Sequence, residues 1–423
     1  MRDFLPKEAE RMRYVEQTAR ELAQLYGYEE VITPVVESYD LLAAKSGEEI
    51  RERMYAFNDL GGRRVALRPE FTASIARLVV TKMMYEPKPL RLFCVGSLYR
   101  YDEPQMGRFR EFWQSNYELI GSSKPEADAE ILILTHDLIE RLGFRNHWFK
   151  IGHMGILRGI LSQEGVKEEQ QNQMMQLLDK KQWDEALSVA QGLGVSEKCR
   201  ATMKNLFETR GKDASKILEK ARENVQGYED AIVAVENLRE IVELTKQSGA
   251  KFQMLIEAGF ARGLEYYTGM IFEPYVTERE TAVSGGGRYD KLVELFGGES
   301  TPAVGVANGI DRLALAMKNQ KISPKVPEER RVAIIPVIEE LKAKAIDLSL
   351  MLRKAKISTE VEVMGRTVSR ALEDADRKNV THVVIVGPEE FKEGKVVLRN
   401  MKKREQTTVE IKNLPKQILM GKS

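Results

Sequence analysis

The stretch LRLFCVGSLYRYDEPQMGRFREFWQSNYELIG (residues 90–121) holds two strand-like segments joined by a polar turn. Apolar residues dominate residues 90–100, and apolar and polar residues alternate over residues 109–121. Both patterns predict strands, and two strands on either side of a short loop favour an antiparallel sheet.

The sequence before and after this pair contains more strand signals than helix signals. Apolar periodicity predicts helices over residues 8–26 and 125–142, whereas residues 31–37 and 65–70 are predicted to be strands. Pro34 lies inside the first of these strands and indicates an edge or a bend, because proline cannot donate to a sheet ladder. The sequence therefore predicts an α+β fold with an antiparallel sheet rather than alternating βαβ units.

Residues 155–245 differ in composition from the segments on either side. They are rich in Gln, Glu and Lys, show periodic Leu, Met and Val, and have almost no strand signals. This pattern predicts a helical insertion with an internal turn at residues 192–197. Strand signals return at residues 251–260, 270–276 and 284–292, followed by a helix signal at residues 308–318.

The last hundred residues follow the hydrophilic linker PKVPEER (324–330). They predict a strand–helix–strand–helix–strand series that ends in a hairpin, which is a compact α/β domain. The predicted domains are a core made of residues 1–154 and 246–323, a helical insertion made of residues 155–245, and a tail domain made of residues 324–423.

The net charge of +1 conceals an asymmetry between the tail and the rest of the chain. Residues 325–423 carry 21 Lys and Arg residues against 15 Asp and Glu residues, whereas residues 1–324 carry 44 against 49. A basic tail on an acidic body suggests an anionic partner for the tail. Ordinary variation of surface charge explains the same asymmetry equally well.

The composition excludes several classes of protein. No apolar run reaches the roughly 18–20 residues of a membrane span, and the charged start of the chain argues against a secretory signal. Cys94 and Cys199 are the only cysteines, and four scattered histidines show no metal-ligand spacing. We expect a cytoplasmic protein without a membrane partner, a disulfide framework or a protein-bound metal.

Three basic side chains surround the turn between residues 90–100 and 109–121. Arg100 precedes the turn, and Arg108 and Arg110 follow it, close to Phe112. An aromatic ring beside guanidinium groups can stack a base while the guanidinium groups hold phosphates. A solvated hairpin with cross-strand ion pairs is the competing interpretation and is about as probable from spacing alone.

Arg262 lies in the apolar, glycine-flanked segment EAGFARGLEYYTGMIFEPY (257–275), which we interpret as strand. A buried arginine requires an anion, either a carboxylate of the protein or a ligand phosphate. In the nearby segment SGGGRYDKL (284–292), three glycines would allow a ligand to approach the backbone closely. A flexible hairpin loop is the alternative for that segment.

Two further positions carry candidate binding groups. Glu70 and Thr72 place a carboxylate and a hydroxyl together, which suits an ammonium group, and they can also cap a helix predicted over residues 72–84. Arg312 follows a run of small residues near the start of the helix predicted at residues 308–318. It is either a surface residue or a second group that reaches an anion.

Together these segments resemble a known family. Residues 31–37, 99–121 and 302–313 resemble motifs 1, 2 and 3 of class II aminoacyl-tRNA synthetases. The segments RGLEYYTG (262–269) and SGGGRYDKL resemble the two signature segments peculiar to histidyl-tRNA synthetases. The resemblance covers nearly the whole chain and implies a class II catalytic core with a helical insertion and a C-terminal anticodon-binding domain.

The resemblance implies an enzyme of protein biosynthesis that activates L-histidine with ATP and transfers it to the 3′ end of tRNA-His. It implies that Arg100 and Arg262 act on the α-phosphate and that Mg²⁺ bridges the phosphates. The family pattern assigns these residues to ATP: Arg100, Asp102, Arg108, Phe112 and Arg312. It assigns these to histidine: Glu70, Thr72, Gln114, Glu118, Tyr266, Tyr267, Gly285, Gly286 and Gly287.

The same resemblance implies partners for other parts of the chain. Gln105 and Arg110 would meet the acceptor end of the tRNA, and the basic tail would bind its anticodon. The motif around Pro34 implies a homodimer, and the helical insertion is expected to clamp the acceptor stem. Two positions depart from the pattern, since Asp102 replaces the usual Glu and Asn308 stands where the motif is usually aliphatic.

Three alternatives belong to other functional classes or substrates. The nearest is a non-catalytic, synthetase-like regulatory subunit of ATP phosphoribosyltransferase, which usually lacks the tail domain and part of the arginine set. Another class II synthetase would leave the segments RGLEYYTG and SGGGRYDKL unexplained. A plain nucleic-acid-binding module would need no histidine-shaped pocket.

Overall fold

A computed structural model describes residues 1–44, 46–103, 109–276, 281–324 and 330–420. The chain divides into two compact units, Met1–Pro324 and Lys325–Ser423. Within the described residues, no helix is both long enough and apolar enough to cross a membrane.

The first unit combines helices with a large sheet. Its helices are α1 (Pro6–Leu25), α2 (Tyr39–Ala43), α3 (Glu48–Glu52), α4 (Thr72–Lys82), α5 (Pro125–Arg141), α6 (Met154–Gln163), α7 (Glu168–Asp179), α8 (Trp183–Gly192), α9 (Glu197–Glu208), α10 (Ala214–Asn224), α11 (Glu229–Gln247), α12 (Leu292–Leu295) and α13 (Ile310–Asn319). Its strands are β1 (Glu29–Glu30), β2 (Val36–Ser38), β3 (Ala56–Asn58), β4 (Arg64–Leu67), β5 (Leu90–Tyr99), β6 (Glu111–Ile120), β7 (Trp148–His153), β8 (Arg210–Gly211), β9 (Gln253–Glu257), β10 (Met270–Tyr275), β11 (Ser284–Arg288) and β12 (Ala303–Gly309).

Nine of these strands form one sheet in the order β1-β5-β6-β12-β11-β10-β7-β9-β8. Only the pairs β1–β5 and β7–β9 are parallel, and the other neighbours are antiparallel. The predicted antiparallel α+β fold is therefore confirmed. The strands β2, β4 and β3 form a separate antiparallel sheet in that order.

The two faces of β6 show how the sheet separates the core from the site. Tyr117 is fully buried, contacts the rings of Phe93 and Tyr28, and donates a hydrogen bond from its hydroxyl to the carbonyl oxygen of Ala19 at 2.8 Å. Because side chains alternate along a strand, the neighbours Asn116 and Glu118 lie on the opposite face. That face carries the polar cavity described below.

The segment around Pro34 differs from its predicted structure. Residues 31–37 were predicted to form a strand, but β1 ends at Glu30 and β2 begins only at Val36, so Pro34 lies in a loop. The guanidinium of buried Arg68 holds this loop, donating to the carbonyl oxygens of Thr33 at 2.7 Å and Pro34 at 3.4 Å. Side-chain donors from Arg68 therefore replace the ladder hydrogen bonds that proline interrupts.

The segment that carries Arg262 is also not a strand. Strand β9 ends at Glu257 and β10 begins at Met270, so Arg262 lies in the connecting loop. We call residues 258–269 the Arg262 loop. Several glycines in this loop weaken strand formation. The strand prediction relied on the apolar residues and gave too little weight to these glycines.

The helical character of residues 155–245 is confirmed by α6 to α11, with the predicted turn between α8 and α9. The short strand β8 was not predicted, and it pairs with β9 at the end of the sheet. Helix α11 packs against α5 and α6, which attaches this segment to the core.

The second unit is the predicted α/β domain. Its elements are β13 (Arg331–Pro336), α14 (Lys342–Lys354), β14 (Ser358–Val361), α15 (Val368–Arg377), β15 (His382–Val386), α16 (Pro388–Lys392), β16 (Lys395–Asn400), β17 (Glu405–Glu410) and α17 (Leu414–Met420), with 3₁₀ turns at Glu339–Leu341 and Ile411–Asn413. The sheet order is β14-β13-β15-β16-β17. The first three strands are parallel and β16–β17 is the predicted hairpin.

Candidate active site

A cavity of about 360 Å³ lies on the polar face of the nine-stranded sheet. Strands β6, β11 and β12 and the Arg262 loop contribute to its wall. Most of the predicted site residues line it: Glu70, Thr72, Arg100, Asp102, Phe112, Gln114, Glu118, Arg262, Tyr266, Tyr267, Gly285 and Arg312. Residues that are up to 242 positions apart in the sequence thus face one space.

Glu118 is the centre of one polar cluster in the cavity wall, which we call the Glu118 end. Its carboxylate accepts hydrogen bonds from the Thr72 hydroxyl at 3.0 Å, from the Asn116 amide at 3.2 Å and from the Tyr289 hydroxyl. All three donors are neutral, and burial raises the pKa of Glu118 to about 7. The end of the cavity around Glu118 therefore offers a carboxyl group that changes charge near neutral pH.

Glu70 lies beside this cluster at the start of α4. Its carboxylate accepts the backbone N–H groups of Thr72 and Ala73, the latter at 2.8 Å, so it caps the helix as the sequence allowed. Burial raises the pKa of Glu70, although these hydrogen bonds act in the opposite direction. Because Glu70 also lines the cavity, capping the helix does not prevent it from facing a ligand.

Arg262 and Glu273 are the centre of a second polar cluster in the cavity wall, which we call the Glu273 end. The Arg262 guanidinium donates to Glu273 at 3.0 Å, and the second carboxylate oxygen of Glu273 accepts from Lys150 and from the Tyr275 hydroxyl, each at 2.7 Å. Burial opposes ionisation of Glu273, but Arg262 and Lys150 outweigh it and lower its pKa to about 2. The carboxylate raises the pKa of Arg262 in turn, against the effect of burial.

Arg100 lines the same cavity from the end of β5. Its Nε donates to the carbonyl oxygen of Pro69 at 2.9 Å, and its guanidinium lies over the Phe112 ring, 5.3 Å from the ring centroid. Burial lowers the pKa of Arg100, and the positive charge of Arg262 acts in the same direction. Among the described residues, the carboxylates of Asp102 and Glu70 favour the charge of Arg100 without forming an ion pair of 4.0 Å or less with it.

Arg312 approaches the cavity from the first turn of α13. Its guanidinium donates to the carbonyl oxygen of Ala282 at 2.8 Å. The preceding Asp311 accepts the backbone N–H of Trp113 and pairs with Arg2, whose guanidinium also stacks on the Phe109 ring. These contacts fasten α13 to the start of β6.

The three glycines of β11 have separate packing roles. A Cβ atom on Gly285 would lie 2.5 Å from the guanidinium of Arg262. A Cβ atom on Gly286 or Gly287 would lie 2.5 Å from a backbone carbonyl oxygen of a neighbouring strand. Gly285 lines the cavity, whereas Gly286 and Gly287 do not. These two residues allow close packing within the sheet rather than direct access to a ligand.

Arg110, which was predicted to meet the tRNA acceptor end, does not line the cavity. The Arg110 guanidinium lies 4.0 Å from the Tyr101 ring centroid, and its Nε donates to the carbonyl oxygen of Asp102 at 3.3 Å. Gln105 and Arg108 lie outside the described residues.

The structure accounts for both departures from the family pattern. The shorter acid Asp102 accepts a hydrogen bond from Arg53 at 2.9 Å, so its carboxylate is balanced inside the protein. Asn308 is fully buried in β12, where its side chain accepts from the Ser284 hydroxyl at 2.7 Å and donates to the Ser115 carbonyl oxygen at 3.4 Å. Asn308 therefore links β11 to β6 across its own strand.

Sequence reasoning missed several residues of the cavity wall. Tyr289, Glu273 and Asp179 line the cavity, but no role was predicted for any of them. Gly305 was also missed, although a side chain there would occupy the space of the Glu118 carboxylate. The one available signal was the expectation that Arg262 needs an anionic partner, and that expectation did not identify Glu273.

Known proteins match both units of the chain. A family model described as histidyl-tRNA synthetase matches residues 1–313, and one described as anticodon binding domain matches residues 331–420. A histidine–tRNA ligase from Methanocaldococcus jannaschii is 41% identical over 419 residues, which is 98% of this chain and 97% of the relative.

Solved structures agree with the fold. A Bacillus halodurans protein described as an ATP phosphoribosyltransferase regulatory subunit/histidyl-tRNA synthetase has a TM-score of 0.76 at 26% identity, covering 91% of this chain and 96% of that protein. A histidyl-tRNA synthetase from a Nostoc species has a TM-score of 0.79 at 22% identity, covering 99% and 97% respectively. At that identity the second match shows the fold alone.

Proposed function

The chain belongs to the histidyl-tRNA synthetase family, and we propose that it is a histidine–tRNA ligase. It joins L-histidine to ATP to form histidyl-adenylate and pyrophosphate, and then transfers the histidyl group to the 3′ end of tRNA-His. One observation carries the proposal: Arg100 and Arg262 line the same cavity as a buried carboxyl group, Glu118, which is surrounded by neutral hydrogen-bond donors.

In the first step, an oxygen of the histidine carboxylate attacks the α-phosphorus of ATP, and the bond to the bridging oxygen of pyrophosphate breaks. Negative charge develops around the α-phosphorus during this step. Arg100 and Arg262 would stabilise that charge from the cavity wall, and fixed cations in a water-poor site are the main means of accelerating phosphoryl-group chemistry. The ion pair to Glu273 supports this role for Arg262, because it orients the guanidinium before the substrate arrives.

The histidine side chain would bind at the Glu118 end. An imidazole has a nitrogen that can donate to the Glu118 carboxylate, and Tyr266 and Tyr267 provide rings and hydroxyls nearby. The ammonium group would be accepted by Glu70, Thr72 and Gln114, which line the same space. A site that hydrogen-bonds both imidazole nitrogens discriminates strongly against apolar analogues.

ATP would lie between the arginines and β6. Phe112 and Arg312 would hold the adenine ring between them, and Asp102 and Arg108 belong to the same binding region by resemblance. The contact between Arg100 and the Phe112 ring supports a continuous path from the adenine to the α-phosphate. Gln105 and Arg110 would meet the acceptor end of the tRNA.

Mg²⁺ fits this site as an ion carried on the nucleotide phosphates. Within the described residues, the one cluster of three close metal-ligating side chains is His136, Asp137 and Glu140, and none of them lines the cavity. At nucleotide sites, Mg²⁺ is usually bound by the phosphates and by water, with one or two protein carboxylates. The cavity wall offers such carboxylates in Glu70 and Glu118. Bound Mg²⁺ would neutralise the charge of the departing pyrophosphate.

We propose the domain roles that the sequence predicted: a catalytic core in residues 1–154 and 246–323, an acceptor-stem clamp in residues 155–245 and an anticodon-binding domain in residues 324–423. The match of residues 331–420 to an anticodon binding domain supports the last assignment. Ending the chain after residue 324 should preserve pyrophosphate exchange and weaken tRNA charging. Unchanged charging would contradict the assignment.

The proposed protein is a homodimer. Its proposed location is the cytoplasm, where its tRNA is used for translation. Exposed apolar side chains support the dimer. Ile32 is 90% exposed, and Val35, Val36, Phe57 and Leu60 are also exposed on the loop and small sheet around Pro34. Sedimentation analysis should give twice the chain mass, and Ile32→Asp should shift the protein to monomers.

Histidine-dependent exchange of labelled pyrophosphate into ATP tests the main proposal. The enzyme should support exchange with histidine, and with no other amino acid at the same concentration. No exchange would favour the regulatory-subunit alternative, and exchange with a different amino acid would favour another class II synthetase. Full-length similarity to the ligase and the presence of the tail unit favour the enzyme.

A further inference from the structure

The Arg262 loop is held in place by a helix of the predicted insertion. Asp179 is the last residue of α7, and its carboxylate accepts the backbone N–H of Gly263 at 2.9 Å. Gly263 directly follows Arg262, so this hydrogen bond fixes the backbone next to the arginine. Asp179 and its helix neighbour Gln176 line the same cavity as Arg262.

Gly47 also packs closely against this loop. Gly47 has a φ of +81°, and a Cβ atom there would lie 2.8 Å from the carbonyl oxygen of Gly263. The backbone N–H of Gly263 therefore meets Asp179 of α7, and its carbonyl oxygen lies close to Gly47.

The position of Asp179 is unfavourable for its own helix. A negative charge in the last turn of a helix lies at the negative end of the helix dipole, so local helix stability disfavours it. Its carboxylate charge acts instead on Arg262, adding to the stronger effects of Glu273 and Tyr267 that raise the pKa of the guanidinium. A group that costs local stability and acts on a cavity residue suggests a functional role.

We propose that Asp179 is a positioning residue for adenylate formation, because it sets the backbone and the electrostatic environment of Arg262 from the helical segment 155–245. This inference rests on the proposed function of Arg262. It also means that any movement of α7, including movement caused by a tRNA bound to that segment, changes the position of Arg262. The role assigned to Asp179 is positioning, because its carboxylate bonds the loop backbone beside Arg262.

The full-length protein carrying Asp179→Ala or Asp179→Asn tests the proposal by histidine-dependent pyrophosphate exchange and by thermal unfolding. Asp179→Ala should lower kcat about tenfold, as expected for one lost positioning hydrogen bond, and should leave the KM for histidine within about twofold. Asp179→Asn should lose less, because the asparagine oxygen still accepts from Gly263. Both variants should unfold within a few degrees of the wild-type temperature, because loss of the hydrogen bond and removal of the unfavourable helix charge act in opposite directions.

Gln173→Ala is the matched control, because Gln173 is exposed on the same helix and does not line the cavity. It should leave kcat unchanged. Wild-type kcat in Asp179→Ala would overturn the proposal. A parallel loss of kcat, histidine affinity and unfolding temperature in both variants would also overturn it, since that pattern indicates a purely structural role. Absence of exchange in the wild-type protein would instead refute the proposed function.

Discussion

Glu118 and Glu273 line one cavity, but their surroundings have opposite electrostatic character. Glu118 accepts only neutral donors, and its pKa is raised to about 7 by burial. Glu273 lies between Arg262 and Lys150, and its pKa is lowered to about 2. Burial disfavours the charge of both groups, so the difference arises from the cations.

This difference suggests a division of labour within the site. The Glu273 end holds a permanent negative charge that keeps two cations in fixed positions, which suits the binding of phosphates. The Glu118 end holds a carboxyl group whose protonation is poised near neutral pH, which suits a ligand that itself exchanges protons near pH 7, as imidazole does. Substitutions in both clusters test the contrast.

Arg262→Ala should have the largest effect. It removes a cation that faces the cavity, and loss of one such stabilising group typically reduces kcat by about 10²–10³. Histidine binding should change little, since the Glu118 end is intact, and Lys150 continues to neutralise Glu273. Pyrophosphate-exchange kinetics together with direct histidine titration measure the two effects separately.

Arg51→Ala is the control for that substitution, because Arg51 pairs with Glu265 of the same loop at 3.3 Å and does not line the cavity. Its kcat should stay near that of the wild type. If Arg262→Ala reduced histidine binding as strongly as kcat, the two ends of the cavity would not be functionally separate.

Glu118→Gln should stabilise the protein at alkaline pH. The folded-state pKa of about 7 exceeds the ordinary value of 4.5, so the folded protein binds the Glu118 proton more tightly than the unfolded chain. The stability from this group is complete below about pH 4.5 and is lost as the pH rises through about 7. Glutamine mimics the protonated form, and the gain at pH 8.5 should be on the order of 3 kcal/mol.

Urea unfolding of the wild type and Glu118→Gln at pH 5.5 and pH 8.5 measures this gain. The difference in unfolding free energy should be larger at the higher pH. Glu273→Gln should behave oppositely, destabilising the protein at both pH values because Arg262 and Lys150 lose their shared carboxylate. A stabilised Glu273→Gln protein would remove the basis of the contrast.

Glu118→Gln should also weaken histidine binding by about 10- to 100-fold, the usual range for loss of a hydrogen bond to a charged group. The wild-type affinity should rise as the pH increases through about 7, because Glu118 then ionises, and the substitution should abolish this contribution. Isothermal titration with histidine across this pH range is the measurement. Glu111→Gln on the same strand, outside the cavity wall, should match the wild type.

Tyr289→Phe should give the smallest effect. The Tyr289 hydroxyl helps to keep the pKa of Glu118 from rising further, so its removal should move the midpoint of the histidine-binding pH profile upward and weaken binding by about two- to tenfold at pH 7. Tyr275→Phe is the matched change at the other glutamate. There the two cations still hold the pKa of Glu273 well below neutral, and the pH profile should not move.

The two ends of the cavity also differ in how far the sequence predicted them. Residues 109–121 were predicted to form a strand, and the two-residue period of β6 brings Phe112, Gln114, Asn116 and Glu118 to the cavity, whereas Arg110 precedes the strand and does not line it. The helix cap at Glu70 was likewise predicted, since capping depends on a few neighbouring positions. The Arg262 end was less predictable, because Glu273, Lys150 and Asp179 come from three different elements.

Two local predictions failed because tertiary contacts replaced the hydrogen bonds of a strand. Arg68 holds the loop around Pro34 in place of a ladder, and the glycines of the Arg262 loop permit a path that apolar composition did not indicate. The apolar residues of both segments match a strand pattern. The backbone conformation of each segment nevertheless depends on contacts with residues that are distant in the sequence.

The sequence was sufficient for the antiparallel fold, the helical character of residues 155–245, the α/β tail and the family, because periodicity and short motifs are local properties. The charge states of Glu118 and Glu273 and the attachment of Asp179 to the Arg262 loop emerged from the folded chain alone. These features depend on burial and on which charges meet across the fold, and no local pattern encodes either quantity.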